Sequence, residues 1–123
     1  MSIPTLGYWD IQGLGQPLRM ILAYLDIKHE DIVYDNTTLR TTWVTDIKPN
    51  LGLDFPNVPY YKDGDLKITQ SLAIIRYIGK KHGMYGKSDE ESAKIEFLFY
   101  GLLWLILAEV IVRNVFPDKN SIK

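Results

Sequence analysis

By Tyr34 the chain has committed itself to a parallel pair of strands. Thr5 to Trp9 reads as a short strand, and Gln12-Gly13-Leu14-Gly15 supplies a glycine-rich turn. A helical pattern follows, with Leu14, Leu18, Ile21, Leu22 and Leu25 on one face. Pro17 suits the first turn of that helix, where a missing N–H breaks no bond. His29 to Tyr34 then alternates as a second strand. Two strands joined through a helix pair in parallel, because the crossover carries the chain back to its starting edge. The opening is therefore α/β.

Asn36 to Lys48 is polar with weak periodicity, which suits a loop carrying a short helix, and the glycine and prolines after it favour irregular backbone. Val58–Lys62 and Leu66–Thr69 flank Asp63-Gly64, a dipeptide fitted to a tight hairpin turn. A helix from Gln70 or Ser71 puts Leu72, Ile75, Ile78 and Gly79 on one side, with Gly83 placed to end it. Strand, helix, strand, loop, hairpin and helix is the order of a thioredoxin-like domain, here residues 1–83.

Beyond it, Ser88 and Glu91 form a capping box, and Asp89 and Glu90 place negative charge at the start of a helix that can run to about Val115. Its second half, Phe97 to Ala108, is apolar all round and needs cover on every side. A membrane span is the rival reading. The uncharged run is bounded by Glu96 and Glu109, well short of the roughly 20 residues that cross a bilayer, so no membrane partner is expected.

The 14 Lys and Arg nearly balance 15 Asp and Glu, which leaves no basic face for nucleic acid. Met1-Ser2-Ile3-Pro4-Thr5 shows no secretory address, which makes a cytoplasmic location the expectation. There are no cysteines, so disulfide scaffolds, thiolate metal sites and protein-thiol nucleophiles are excluded. Any sulfur chemistry must come from a ligand.

Three blocks carry a resemblance: Gly7-Tyr8-Trp9-Asp10-Ile11-Gln12-Gly13-Leu14; Leu51-Gly52-Leu53-Asp54-Phe55-Pro56-Asn57-Val58-Pro59-Tyr60; and Lys67-Ile68-Thr69-Gln70-Ser71 with Ala73-Ile74-Ile75-Arg76-Tyr77-Ile78. In order and spacing they resemble the mu-class glutathione S-transferases over residues 3 to 86. The resemblance implies a thioredoxin-like glutathione-binding domain followed by the first long helix of an all-α C-terminal domain, here 84–123. It implies a cytosolic homodimer that conjugates the glutathione thiolate to small electrophilic, hydrophobic compounds in detoxification. Glutathione is then a cosubstrate, with no cofactor and no metal.

The residues fit that chemistry. A thiol is mostly protonated near neutral pH whereas its thiolate is the nucleophile, so the site must favour the anion. Tyr8, at the end of the first strand, could donate a hydrogen bond to the sulfur; on composition alone a packed core tyrosine serves as well. By resemblance Pro59 is cis and Val58 pairs through its main chain with the cysteinyl part of the tripeptide, beside Asn57. Gln70 and Ser71 open a helix whose free N–H groups suit the γ-glutamyl carboxylate, and Ser71 can also be a plain helix cap. The resemblance makes Arg40, Trp43 and Lys48 the candidates for the glycine end and has Trp9 line the site; on the residues alone Lys48 serves as well as an exposed lysine with no role, and Trp9 as core or wall. Phe55 and Arg76 belong to the dimer interface of the family.

Two departures stand out. Lys48 lies five residues after Trp43, where the family pattern has four, so one residue is inserted. In the helix from residue 88, Trp104 falls where the class carries an aspartate that reaches the partner's glutathione, and no tyrosine stands at Asn114 to Phe116 for the electrophile pocket. The chain reaches only Lys123, and residues 88–123 are expected to be a divergent exon or a truncated product. An impaired glutathione-binding or interaction protein is the alternative to an active transferase.

Overall fold

A computed structural model describes residues 2–35 and 42–115, with the backbone alone at 106, 107 and 109–115. Two compact units divide between His82 and Gly83.

The first contains β1 (Thr5–Trp9), α1 (Gln16–Tyr24), β2 (Glu30–Tyr34), α2 (Lys48–Asn50), β3 (Tyr60–Asp63), β4 (Leu66–Thr69) and α3 (Ser71–Lys81), with a π-helical turn at Trp43–Ile47 running directly into α2. The sheet order is β2-β1-β3-β4. β1 and β2 are parallel, and the other two pairs are antiparallel. Both expectations, the crossover pair and the hairpin, are met in this thioredoxin-like arrangement.

Period-two alternation explains why the sheet is covered on both faces. Tyr60 and Tyr61 are neighbours on β3, so their side chains leave opposite faces, yet both are buried. Tyr61 joins Leu6, Leu18, Leu22, Ile74 and Ile78, the last four coming from α1 and α3 at helical spacing. Tyr60 joins Tyr34, Trp43 and Leu51 in a second cluster. Burial pushes the Tyr61 phenol up to about 12. The same cause, reinforced by the Tyr34 hydroxyl 2.7 Å away, raises Tyr60 further, so both phenols stay neutral.

Three details differ from the sequence reading. α1 begins at Gln16, which leaves Leu14 outside the helix and exposed. β3 begins at Tyr60 rather than Val58, since Pro59 has no N–H for a ladder. On α3 the most deeply buried residue is Ile74, with Ile78 and Gly79, whereas Leu72 and Ile75 are only partly buried. Ile78 and Gly79 lie on the buried face as expected, while Ile74 takes the place of Leu72 and Ile75, which turns the face by roughly 50°.

Asp63 ties the hairpin turn to α3. The Tyr77 hydroxyl donates to its Oδ2 at 2.8 Å, and the Lys81 ammonium bonds the same oxygen. That ammonium holds the Asp63 carboxyl below its usual range, and Lys81 is raised in return.

The second unit holds α4 (Asp89–Val115). The Glu91 N–H donates to Ser88 Oγ at 3.2 Å, as a cap requires. The Glu91 carboxylate reaches one residue further out than in a capping box, accepting the Lys87 N–H at 2.6 Å. Phe97, Leu98, Leu102, Trp104 and Leu105 are exposed along the helix. Among the described residues no helix is long and apolar enough to cross a membrane.

Candidate functional site

The strand register gathers the three motif blocks. Gly7 pairs with Tyr60, and Tyr60 pairs with Thr69. One further step in the same register lines up Tyr8, Pro59 and Gln70 across one edge of the sheet, and α3 starts at the next residue, Ser71. Carboxyl ends of strands beside helix N-termini are where α/β sheets place ligands.

Tyr8 is only 6% exposed, yet it is not an ordinary core residue. Its ring lies beneath the glycine turn: a Cβ on Gly15 would come within 2.4 Å of the ring, and one on Gly13 within 2.6 Å of the hydroxyl. The backbone can pass this close only because both positions are glycine. The Leu14 N–H donates to the Tyr8 hydroxyl at 3.0 Å. An accepted bond polarises a hydroxyl and orients it, and no acceptor for the Tyr8 proton is recorded among the described residues. Tyr8 is thus set to donate. Leu14, read from sequence as part of the apolar face of α1, instead supplies its main chain to this contact; the flanking glycines were the signal.

At the neighbouring strand start, the Val58–Pro59 peptide is cis. The Val58 N–H is held by its neighbour's side chain, Asn57 Oδ1, at 2.9 Å. Gln70 has φ 74°, a left-handed conformation for a residue that is not glycine. Such strain, typically about 1–3 kcal/mol, persists where the surroundings enforce it and concentrates at ligand sites. The Gln70 carbonyl accepts the Ile74 N–H at 3.0 Å, while the N–H groups of Ser71 and Leu72 have no partner within the helix by construction. A cleft of about 270 Å³ adjoins this corner, lined in part by Phe55, Thr69, Gln70 and Ala73.

On the other side stand the aromatic candidates. Trp9 and Trp43 meet edge to face with ring centres 5.5 Å apart. Trp43 is 7% exposed within the second core cluster, and Trp9 is half-buried. Lys48 follows the π-helical turn, and its N–H bonds the Trp43 carbonyl five residues back. An α turn would bond the fourth residue to that carbonyl. The π turn closes on the fifth, Lys48, a device often found at functional sites.

Arg40 lies outside the described residues. Phe55 is 81% exposed on its loop, whose carbonyl at Phe55 accepts the Thr69 hydroxyl at 3.0 Å. Arg76 is half-buried on α3, with Nη1 donating to the Leu72 carbonyl at 3.1 Å. No group of three His, Asp or Glu side chains able to hold a metal is present among the described residues.

Residues 4–80 match the family described as glutathione S-transferase, N-terminal domain. A glutathione S-transferase of Tyrophagus putrescentiae is 50% identical over 99 residues, covering 79% of this chain and 45% of the relative. A class-mu 26 kDa isozyme of Schistosoma mansoni is 52% identical over 95 residues, covering 77% and 48%. The solved structure of a pi-class glutathione S-transferase of Onchocerca volvulus superposes with a TM-score of 0.74 at 28% identity, over 90% of this chain and 50% of that one. The chain spans about half the length of the relatives it matches.

Proposed function

Because the chain belongs to the glutathione S-transferase family, we propose that its first unit binds glutathione and that Tyr8 donates a hydrogen bond to the bound sulfur, holding it as a thiolate for attack on a small electrophile. The observation that carries this reading is the Tyr8 hydroxyl, which accepts the Leu14 N–H and keeps its own proton for a ligand. A free thiol of pKa roughly 8.5 is mostly protonated near neutral pH, and a fixed donor beside the sulfur lowers that value. Tyr8 remains a donor throughout and takes no proton.

The rest of the tripeptide has partners in reach of the same edge. Its cysteinyl main chain pairs with Val58, exchanging the Asn57 Oδ1 contact for a strand-like one. The γ-glutamyl carboxylate sits on Gln70, Ser71 and the N-terminus of α3. The glycine carboxylate is met by Lys48, carried in by the π turn, with Arg40 and Trp43 beside it. In the whole protein Phe55 and Arg76 contribute to a homodimer, the apolar electrophile is conjugated, and the location is the cytoplasm. The exposed Trp104, where the class carries an aspartate, favours a second reading in which glutathione is bound without turnover.

Retention on immobilised glutathione, followed by a conjugation assay with an activated aryl halide, tests both. Binding with turnover is the expected result. Binding alone selects the second reading, and failure to bind at all removes the proposal.

A further inference from the structure

The turn that carries Leu14 is fastened from outside. Arg19, on α1, meets Asp31 of β2 through two bonds, Nε to Oδ2 at 2.8 Å and Nη2 to Oδ1 at 3.4 Å. Its remaining nitrogen, Nη1, donates to the Ile11 carbonyl at 3.3 Å. One planar guanidinium therefore joins three separate pieces of backbone: α1, β2 and the turn between Trp9 and Gln16. The pair lies at the surface, with the side chains 21% and 31% exposed, and its forked, charge-assisted geometry is what sets the direction of the guanidinium.

The turn needs such a fastening. It must pass over the Tyr8 ring at Gly13 and Gly15 with no side chain of its own in the way, and glycine backbone is the least restricted of all. Its ends are held by the main chain, Asp10 N–H to the Tyr34 carbonyl at 2.8 Å and Arg19 N–H to the Gly15 carbonyl at 3.0 Å, and the Gln16 N–H reaches back to the Gln12 carbonyl at 2.8 Å. Between those ends, Ile11 is the carbonyl that Arg19 takes, three residues before the N–H that orients Tyr8.

We infer that Arg19, held by Asp31, is a positioning residue that fixes the Ile11–Gly15 turn and through the Leu14 N–H sets the direction in which Tyr8 donates. This rests on the reading of Tyr8 as thiolate donor. Arg19 does not act on the ligand's charge directly; it acts through Leu14. A displacement of about 1 Å at such a distance from the chemistry can still cost on the order of 100-fold in rate.

The test uses the full 123-residue chain in two arms. The first is amide hydrogen exchange at Leu14 without ligand, in wild type, Arg19→Ala, Arg19→Lys and Asp31→Asn. Protection at Leu14 should fall about 10-fold or more in Arg19→Ala while the Leu22 amide, in the body of α1, keeps its own, since local opening and global unfolding are separable. Arg19→Lys keeps the charge without the fork and should resemble Arg19→Ala. Unchanged Leu14 protection in Arg19→Ala overturns the inference, whatever glutathione does. The second arm titrates the thiolate absorbance of bound glutathione. Arg19→Ala should raise the apparent thiol pKa by about half a unit or more in wild type and by nothing further in a Tyr8→Phe background, because the two substitutions act on one contact. Additive shifts would mean that Arg19 works independently of Tyr8 and would overturn the inference. A wild-type chain that binds no thiolate removes the proposed function itself, a result distinguishable from either.

Discussion

Leu22 and Leu102 have the same side chain in helices, and their surroundings could hardly differ more: the first is fully buried and the second is 61% exposed. On α1 the apolar residues recur at one face, so a single sheet covers them. On α4 the apolar stretch from Phe97 to Ala108 falls on every side of the helix, with Phe97, Leu98, Leu102, Trp104 and Leu105 exposed, and no single neighbour could cover the whole stretch. The contrast separates two properties that composition merges. Hydrophobicity provides the drive to bury; periodicity decides whether one packing surface is enough. Where the period is clear, a site can be built on the resulting rigid edge, as at Tyr8. Where it is lost, the helix must find cover on several sides.

The largest expected effect follows from α4. Leaving four or more of its large apolar side chains in water forgoes roughly 6 kcal/mol or more of burial, comparable to a small domain's whole stability. The 123-residue chain should therefore self-associate, and a version ending at Gly86 should be more soluble. Sedimentation of the two at matched concentrations checks this; a dispersed monomer for the longer chain would show that α4 is covered in a way its exposure does not suggest.

Next in size is the direct comparison of cores. Leu22→Ala or Ile74→Ala should cost about 2–5 kcal/mol in denaturant unfolding of the first unit, whereas Leu102→Ala should change that transition by about 0.5 kcal/mol or less. Equal losses would erase the distinction between the two regions.

Much of the fold was legible in the sequence because its signals are local. The Asp63-Gly64 hairpin, Pro17 in the first turn of α1 and Ser88 before α4 each act within a few residues. What was not legible depends on partners brought from far along the chain. Arg19 meets Asp31 and Ile11, and Tyr34 meets Tyr60 across 26 residues, through sheet register alone. The period of α3 was clear, and Ile78 and Gly79 were placed on its buried face, but the burial of Ile74 rather than Leu72 and Ile75 depends on where Leu6 and Tyr61 lie beneath it. At the site, Tyr8, Pro59 and Gln70 could be named singly; their alignment on one edge is a property of the sheet. The five-residue spacing from Trp43 to Lys48 was visible, while the π turn that bridges it was not.

The smallest effect concerns the Asp63 anchor, which also belongs to the first unit. The folded carboxyl is held below its ordinary value by Lys81, so the native state binds fewer protons than the unfolded one. That contribution is complete above the unfolded value of roughly 3.9 and is lost as pH falls through the folded one. Lys81 is raised, so its share is complete below roughly 10.4 and is lost as pH rises past its folded value. Lys81 is largely exposed, so the pair is worth about 1 kcal/mol or less. Thermal unfolding of Asp63→Asn should show a flatter acid limb below about pH 4 than wild type; superimposable curves would remove the anchor.

The central claim is that a buried tyrosine beneath a glycine turn is oriented to hold a ligand's thiolate. Its most direct test is the ultraviolet titration of glutathione bound to wild type and to Tyr8→Phe, which deletes only the hydroxyl. The account predicts a thiol pKa in wild type well below the free value of roughly 8.5, return toward that value in the variant with binding retained, and about 100-fold less conjugation wherever turnover is measurable. Identical titrations in the two proteins would contradict it.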